Sequence, residues 1–318
     1  MVRISGDKAG TWYDFSKSEG GDIFSLVQDA KNTSFKEAAE YLKSSVGMSS
    51  TSNIKLVYDH KSRDEFLDIH KAKQASAAEE RQKTKYTQGL YARAMDINNQ
   101  NVAHRYLTQA RGISCELSAD IKTASVYDKS ANKSFPALVA FARDQDGNVT
   151  GGQRLLLDSN TSNKANIDTP KKSFGTISGS FVEIKAAHKP ELTVIAEGLE
   201  TALSVKQGLS EYNQSHRQMK TQIICSLGIS NIKNYQPNLG EKIIIAADND
   251  GTNSITRKTI ENAKITLEEK GAYVEVVRPV KEGDFNDLLQ DGQSKQIGNL
   301  FEPSIERHRD RVIQEYAN

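Results

Sequence analysis

Two apolar runs that each end in carboxylates constrain this chain more than any other feature. The first is Leu192-Thr193-Val194-Ile195-Ala196-Glu197-Gly198. The second is Lys242-Ile243-Ile244-Ile245-Ala246-Ala247-Asp248-Asn249-Asp250-Gly251. Continuous runs rich in Val and Ile suit strands buried on both faces, as in a parallel sheet covered by helices. The ligand crevice of such a sheet lies beyond the carboxyl ends of its strands. Glu197, Asp248 and Asp250 are therefore expected at one edge. Three crowded carboxylates repel unless a cation sits between them, and hard oxygen ligands favour Mg²⁺ or Mn²⁺.

The surrounding pattern agrees. After Pro190 the chain reads as strand 192–196, helix 199–209, strand 222–226, a short helix, strand 242–247, helix 254–270 and strand 272–277. Ile260, Ala263 and Leu267 share one face of the long helix, which Gly271 terminates. Strands alternating with helices predict a parallel sheet with right-handed crossovers.

At 318 residues the chain has room for two or three domains. No apolar run approaches the roughly 18 residues of a membrane span, and the N-terminus lacks the plan of a secretory signal, so no membrane partner and a cytoplasmic location are expected. Cys115 and Cys225 lie far apart, so neither a disulfide framework nor a zinc site is indicated. The net charge of +1 conceals an uneven distribution. Basic residues exceed acidic ones nine to five over 129–189, whereas acidic residues lead fourteen to eleven over 191–287. A basic module beside an acidic site suits an enzyme acting on a polyanion, and the same numbers fit ordinary surface variation.

Upstream, Thr11 to Ser16 reads as a turn region. Asp22 is placed to cap a helix beginning at Ile23, and Ser34 with Glu37 forms a capping-box pattern for a helix to about Lys43. Met48 to Asn53 reads as a linker, and about Lys61 to Asp96 as exposed helices with Phe66, Ile69, Leu90 and Met95 as sparse apolar contacts. Around Asn101–Ala119 a helix closed by Gly112 precedes a second short helix. The runs 135–143 and 149–157, joined through Asp146-Gly147, form a hairpin. Arg154 lies in an otherwise apolar strand, where an unpaired guanidinium is costly. With Lys164, Lys171 and Lys172 of the following Gly/Ser-rich stretch, it is expected to line a phosphate groove; solubilising an exposed loop is the plainer role for these lysines. The last stretch, Phe301–Asn318, is an amphipathic helix whose start is expected at Glu302-Pro303-Ser304, with Ile305, Val312, Ile313 and Tyr316 as its stripe. It either docks on its own core or binds a helicase or relaxase partner.

A strand ending in Glu-Gly, a later strand ending in Asp-x-Asp, and about fifty residues between them resemble the Toprim domain of bacterial-type primases, topoisomerases, nucleases and recombination mediators. Glu197 matches that family's glutamate, and Asp248 and Asp250 its Asp-x-Asp. Ser226-Leu227-Gly228-Ile229-Ser230 resembles a primase turn, and Gly283-Asp284-Phe285-Asn286-Asp287 their late acidic motif. Tyr106-Leu107 and Arg111-Gly112-Ile113-Ser114 resemble the opening of the core in plasmid and phage primases. Gly21-Asp22 and Ser34-Phe35-Lys36-Glu37-Ala38 resemble the second half of the primase zinc ribbon. Asp14 and Lys17 stand where that ribbon has its knuckle cysteines, so no zinc is expected. The chain reads as beginning inside such a module, or as one piece of a longer polypeptide.

The resemblance implies residues 1–47 as a ribbon remnant, 48–97 as linker and exposed helices, 98–190 as a basic α+β subdomain, 191–292 as the Toprim domain and 293–318 as a terminal helix. The fold class is thus α/β, with a parallel sheet between helices. The implied function is primase-type, Mg²⁺-dependent synthesis of short RNA primers from ribonucleoside triphosphates on a single-stranded DNA template, in plasmid, phage or conjugative replication. Glu197, Asp248 and Asp250 would be catalytic, and with Asp284 and Asp287 would hold metal. Arg154, Lys164 and Lys172 would hold phosphates, and Gly198 would let substrate approach the backbone. Two rivals remain: a non-catalytic DNA-binding Toprim fragment of a relaxase or replication protein, and a Toprim nuclease. A type IA topoisomerase needs a longer chain. Dehalogenase-type phosphatases carry Asp-x-Asp on the first strand, whereas here it ends the third.

Overall fold

A computed structural model describes residues 11–14, 19–45, 78–215, 220–251 and 254–315. The chain divides into two compact units, Met1–Lys71 and Ala72–Asn318. The expected linker at 48–53, the helical stretch before residue 78, Lys17 and Tyr316 lie outside the described residues.

In the first unit, β1 (Thr11–Asp14) pairs antiparallel with β2 (Glu19–Asp22), so part of the expected turn region is a strand. Helix α1 (Ile23–Lys31) starts as the sequence indicates, with the Asp22 carboxylate accepting the Ser25 N–H at 2.8 Å. Helix α2 (Phe35–Ser45) begins at the Ser34/Glu37 capping box: the Glu37 carboxylate accepts the Ser34 N–H at 2.8 Å, and Ser34 Oγ accepts the Glu37 N–H at 3.4 Å. Phe24 and Phe35 pack the two helices together, with ring centroids 5.3 Å apart.

The second unit holds two five-stranded sheets. The first is antiparallel, in the order β3 (Met95–Asp96), β4 (Ile121–Asp128), β5 (Lys133–Arg143), β6 (Val149–Leu156), β7 (Lys171–Gly175). The expected hairpin is its β5–β6 pair. Strands β4 and β7 extend it, the latter within the stretch read as loop. Helix α3 (residues 78–93) covers one face rather than standing in solvent: Leu90 is buried with Val139, Phe141 and Leu156, and Tyr91 packs edge-on against Phe141. Met95, read as an apolar contact, is exposed. Helix α4 (Val102–Arg105) runs into a π-helical turn, Tyr106–Ala110, and closes at Gly112; the chain from 113 to 120 holds no second helix.

The second sheet has the order β12 (Tyr273–Val277), β11 (Lys242–Ala246), β9 (Leu192–Ala196), β10 (Thr221–Cys225), β8 (Val182–Lys185). All neighbours are parallel except β8, which runs antiparallel to β10. The central strands β9 and β11 are those of the two apolar runs, and every residue from Leu192 to Ala196 is buried. Helix α6 (Ser254–Glu269) seals one face through Ile260, Ala263 and Leu267. Helices α5 (Leu199–Ser215), α7 (Phe285–Gln290) and α8 (Ser294–Glu315) seal the other. Leu138 and Leu155 of the antiparallel sheet join Val194, Leu203 and Ile223 in that same core, so the two sheets share one interior.

Helix α8 starts at Ser294, and Pro303 lies inside it instead of marking its start. Proline removes one backbone donor. Burial of Ile297, Phe301 and Ile305 against the core offsets that cost, so the docking alternative is the one the structure adopts. At Gly208 a Cβ would come within 2.5 Å of Ile297, so this glycine is what lets α5 and α8 approach.

Asn231 ties the sheets' connecting loop to the core. Its buried amide donates to Ile177 O, Ser180 O and Ser226 O at 2.9, 2.9 and 3.0 Å, and its Oδ1 accepts the Gly179 N–H at 2.8 Å. Asn231→Ala strands these groups and is expected to cost roughly 1–3 kcal/mol in urea unfolding. An unchanged midpoint would show that the tie contributes nothing.

Candidate carboxylate and cation crevice

Ala196 and Ala246 end β9 and β11 in register, so the residues that follow emerge side by side. A cleft of about 420 Å³ opens there, and Glu197, Asp248 and Asp284 line its acidic wall. Burial pushes the Asp248 carboxyl up to about 7, with Glu197, Asp284 and Asp250 adding repulsion against the 3.2 Å hydrogen bond from Thr201. Burial and Asp250 likewise raise Glu197, opposed by Lys171. Asp250 is exposed and does not line the cleft, but its charge acts on both Glu197 and Asp248. No group of three or more His, Cys, Asp or Glu among the described residues is drawn in as a metal-holding cluster.

The middle residue of Asp-x-Asp has a structural task. The Asn249 amide donates to the carbonyls of Pro279, Val280 and Lys281 at 3.0–3.3 Å, and its backbone exchanges hydrogen bonds with Gly283. This clamp brings Asp284 to the crevice. Gly283 has φ of 129°, and a Cβ there would meet the Asp287 carboxylate. Asp287 is absorbed into a capping box: its carboxylate accepts the Asp284 N–H at 2.9 Å, and Asp284 Oδ1 accepts the Asp287 N–H at 2.9 Å. Asp287 does not line the cleft. Gly198 does, and a Cβ there would meet only Thr201 Oγ1 at 3.8 Å, so packing does not demand glycine.

The opposite wall is basic. Lys164, Lys171, Arg111 and Gln153 line it. Glu200, on the first turn of α5, anchors the three cations: its carboxylate lies 3.7 Å from Lys164 Nζ, 3.8 Å from Lys171 Nζ and 4.0 Å from Arg111 Nε, and accepts the Tyr106 hydroxyl at 2.6 Å. Burial alone would raise the Glu200 carboxyl, but Lys171, the Tyr106 bond, Lys164 and Arg111 outweigh it and hold it below the usual range. Its place as an acidic residue in the first turn of a helix was the available signal for Glu200.

Side chains alternate along a strand, and this parity separates the expected phosphate ligands. Gln153 faces the crevice and Leu155 the shared core. Arg154 sits opposite Val139 and Lys172 on the other face of the sheet, where its guanidinium lies 3.6 Å from Asp128. Lys171 and Lys164 therefore reach the crevice, while Arg154 and Lys172 do not.

A parallel α/β layer with carboxylates beyond its central strands and a cationic wall facing them is the class that fold and site define. Residues 192–294 match the Toprim domain family, and this part of the chain is a Toprim domain. Residues 81–184 match the family described as Domain of unknown function (DUF7146). No curated protein gives a significant match. Among solved structures, the chain is similar to the zinc-binding and RNA polymerase domains of the Aquifex aeolicus primase: 14% identity, 96% of this chain and 77% of that one covered, TM-score 0.42. It is also similar to a DnaG catalytic core, at 15% identity, covering 71% of this chain and 79% of that one, with TM-score 0.44. A third is the RNA polymerase domain of the Mycobacterium tuberculosis primase DnaG in complex with a double-stranded DNA carrying an overhang, at 14% identity, 73% and 83% coverage and TM-score 0.38. No described helix is long and apolar enough to cross a membrane.

In donor chemistry, the acidic side suits a hard divalent cation. Asp248, Glu197, Asp250 and Asp284 offer only oxygens, and their mutual repulsion is what a cation relieves. A raised carboxyl stabilises the fold while protonated: the contribution is full below the unfolded value of 3.8 and is lost as pH rises through about 7. Mg²⁺ is therefore expected to raise Tm more at about pH 8 than at about pH 5, and Asp248→Asn to remove most of that difference. An equal Mg²⁺ shift at both pH values would contradict the assignment.

Proposed function

We propose that the chain is a primase-type nucleotidyltransferase that joins ribonucleotides on a single-stranded DNA template, serving plasmid, phage or conjugative replication. One observation carries the reading: the Toprim carboxylates face Lys164, Lys171 and Arg111 across a single crevice. A phosphate-bearing substrate needs both walls, cations for its phosphates and carboxylates for the charge-neutralising ion. Glu197, Asp248, Asp250 and Asp284 would hold Mg²⁺ or Mn²⁺, which when bound supplies neutralisation of developing phosphate charge.

The chain's own groups have distinct tasks. Lys164 and Lys171 hold the triphosphate as point charges, and Arg111 adds donors beside them. Glu200 anchors these cations at the crevice. The raised Glu197 carboxyl suits it to take the proton of the attacking 3′-hydroxyl. Thr201 fixes Asp248 through its hydroxyl.

Purified full chain is expected to incorporate ribonucleotides on single-stranded DNA only with Mg²⁺ or Mn²⁺, and Asp248→Ala to lower the rate by about 100-fold or more. Wild-type chain that incorporates none on any single-stranded template overturns the reading. Shortening of labelled DNA with Mg²⁺ and no nucleotides would instead assign a nuclease.

A further inference from the structure

A second cleft, of about 570 Å³, opens on the β12 side of β11, lined by Asn249, Arg257, Lys258, Glu261, Asn262 and Arg278. Arg278 directly follows β12, and the other charged groups come from the first turns of α6. Three cations thus face one carboxylate. This differs from the crevice wall, where Glu200 already engages every cation.

Arg278 is half-buried, and among the described residues neither its guanidinium nor that of Arg257 makes a hydrogen bond or ion pair. Burial and the neighbouring Arg257 charge both disfavour its cation, with Glu261 in partial compensation. A half-buried guanidinium whose donors are not hydrogen-bonded is costly, and its five donors are arranged to grip phosphate oxygens. Asn249 joins the two places, because it lines this cleft while its neighbour Asp248 lines the carboxylate crevice.

We propose that the cleft of Arg257, Lys258 and Arg278 binds the phosphodiester backbone of single-stranded nucleic acid, on the path of the strand running to or from the carboxylate crevice. The inference rests on the nucleic-acid part of the proposed function and not on catalysis.

The test is the affinity of the full chain for fluorescein-labelled oligothymidylate, by anisotropy without nucleotides, between about 50 and 200 mM salt. The Arg257→Gln/Arg278→Gln variant is expected to bind about 10-fold more weakly. It should also lower the slope of log affinity against log salt by about 1.4, or ~0.7 for each lost phosphate contact. Glu261→Gln removes the opposing charge and is expected to bind several-fold more tightly, a gain that impaired folding cannot produce. Wild-type binding with both variants unchanged in affinity and slope overturns this inference alone. Wild-type chain that binds no oligothymidylate at any salt overturns it together with the nucleic-acid part of the function. Absence of primer synthesis with the expected binding changes leaves it standing.

Discussion

One largely buried carboxylate, Glu200, sets the electrostatics on which the site depends. Lys164, Lys171 and Arg111 come from three different places in the antiparallel module, and all converge on this group of the parallel one. Beyond it, Lys171 also feels Glu197 and Arg111 feels Asp284, so the same cations bear on the acidic wall. The separations of 3.7–4.0 Å leave the ammonium donors unspent. A substrate phosphate can then be held without breaking the anchor. Tyr106 completes the arrangement, donating to Glu200 and accepting from Arg111.

Both walls stand on one core shared by the two sheets, and polar ties join them. Lys206 of α5 donates to the carbonyls of Glu116 and Ile184 at 2.6 and 3.1 Å. Asn286, buried within the late acidic motif, donates to Arg111 O at 2.8 Å and Ser204 Oγ at 3.0 Å, linking the acidic wall to the basic one through backbone. Asn249 and Asn286 are thus the polar residues inside the two acidic motifs, and both position their neighbours.

Features governed by local physics were legible in the sequence. Fully apolar runs fixed β9 and β11, and their order placed Glu197 beside Asp248. The caps at Asp22 and Ser34 act within one helical turn and were readable for that reason. Features decided by tertiary context were not. Strands β4 and β7 carry mixed polarity because one face meets α3 or the core and the other meets solvent or a charged groove. Parity decided which basic residues reach the crevice: Arg154 and Lys172 are cross-strand neighbours on one face, while Lys171, one residue away, lies on the other. No run of residues announces such a choice until the register is known. Pro303 misplaced the start of α8 for a similar reason, since burial of Ile297 and Phe301 overrides a local breaker.

Glu197, Asp248 and Asp250 are proposed to hold a divalent cation opposite Lys164, Lys171 and Arg111, and diffraction at the manganese edge from crystals grown with Mn²⁺ tests this. An anomalous peak is expected between Glu197 and the Asp248–Asp250 turn, lost in Asp248→Ala crystals. Manganese bound only elsewhere, with this crevice empty at saturating Mn²⁺, would contradict it.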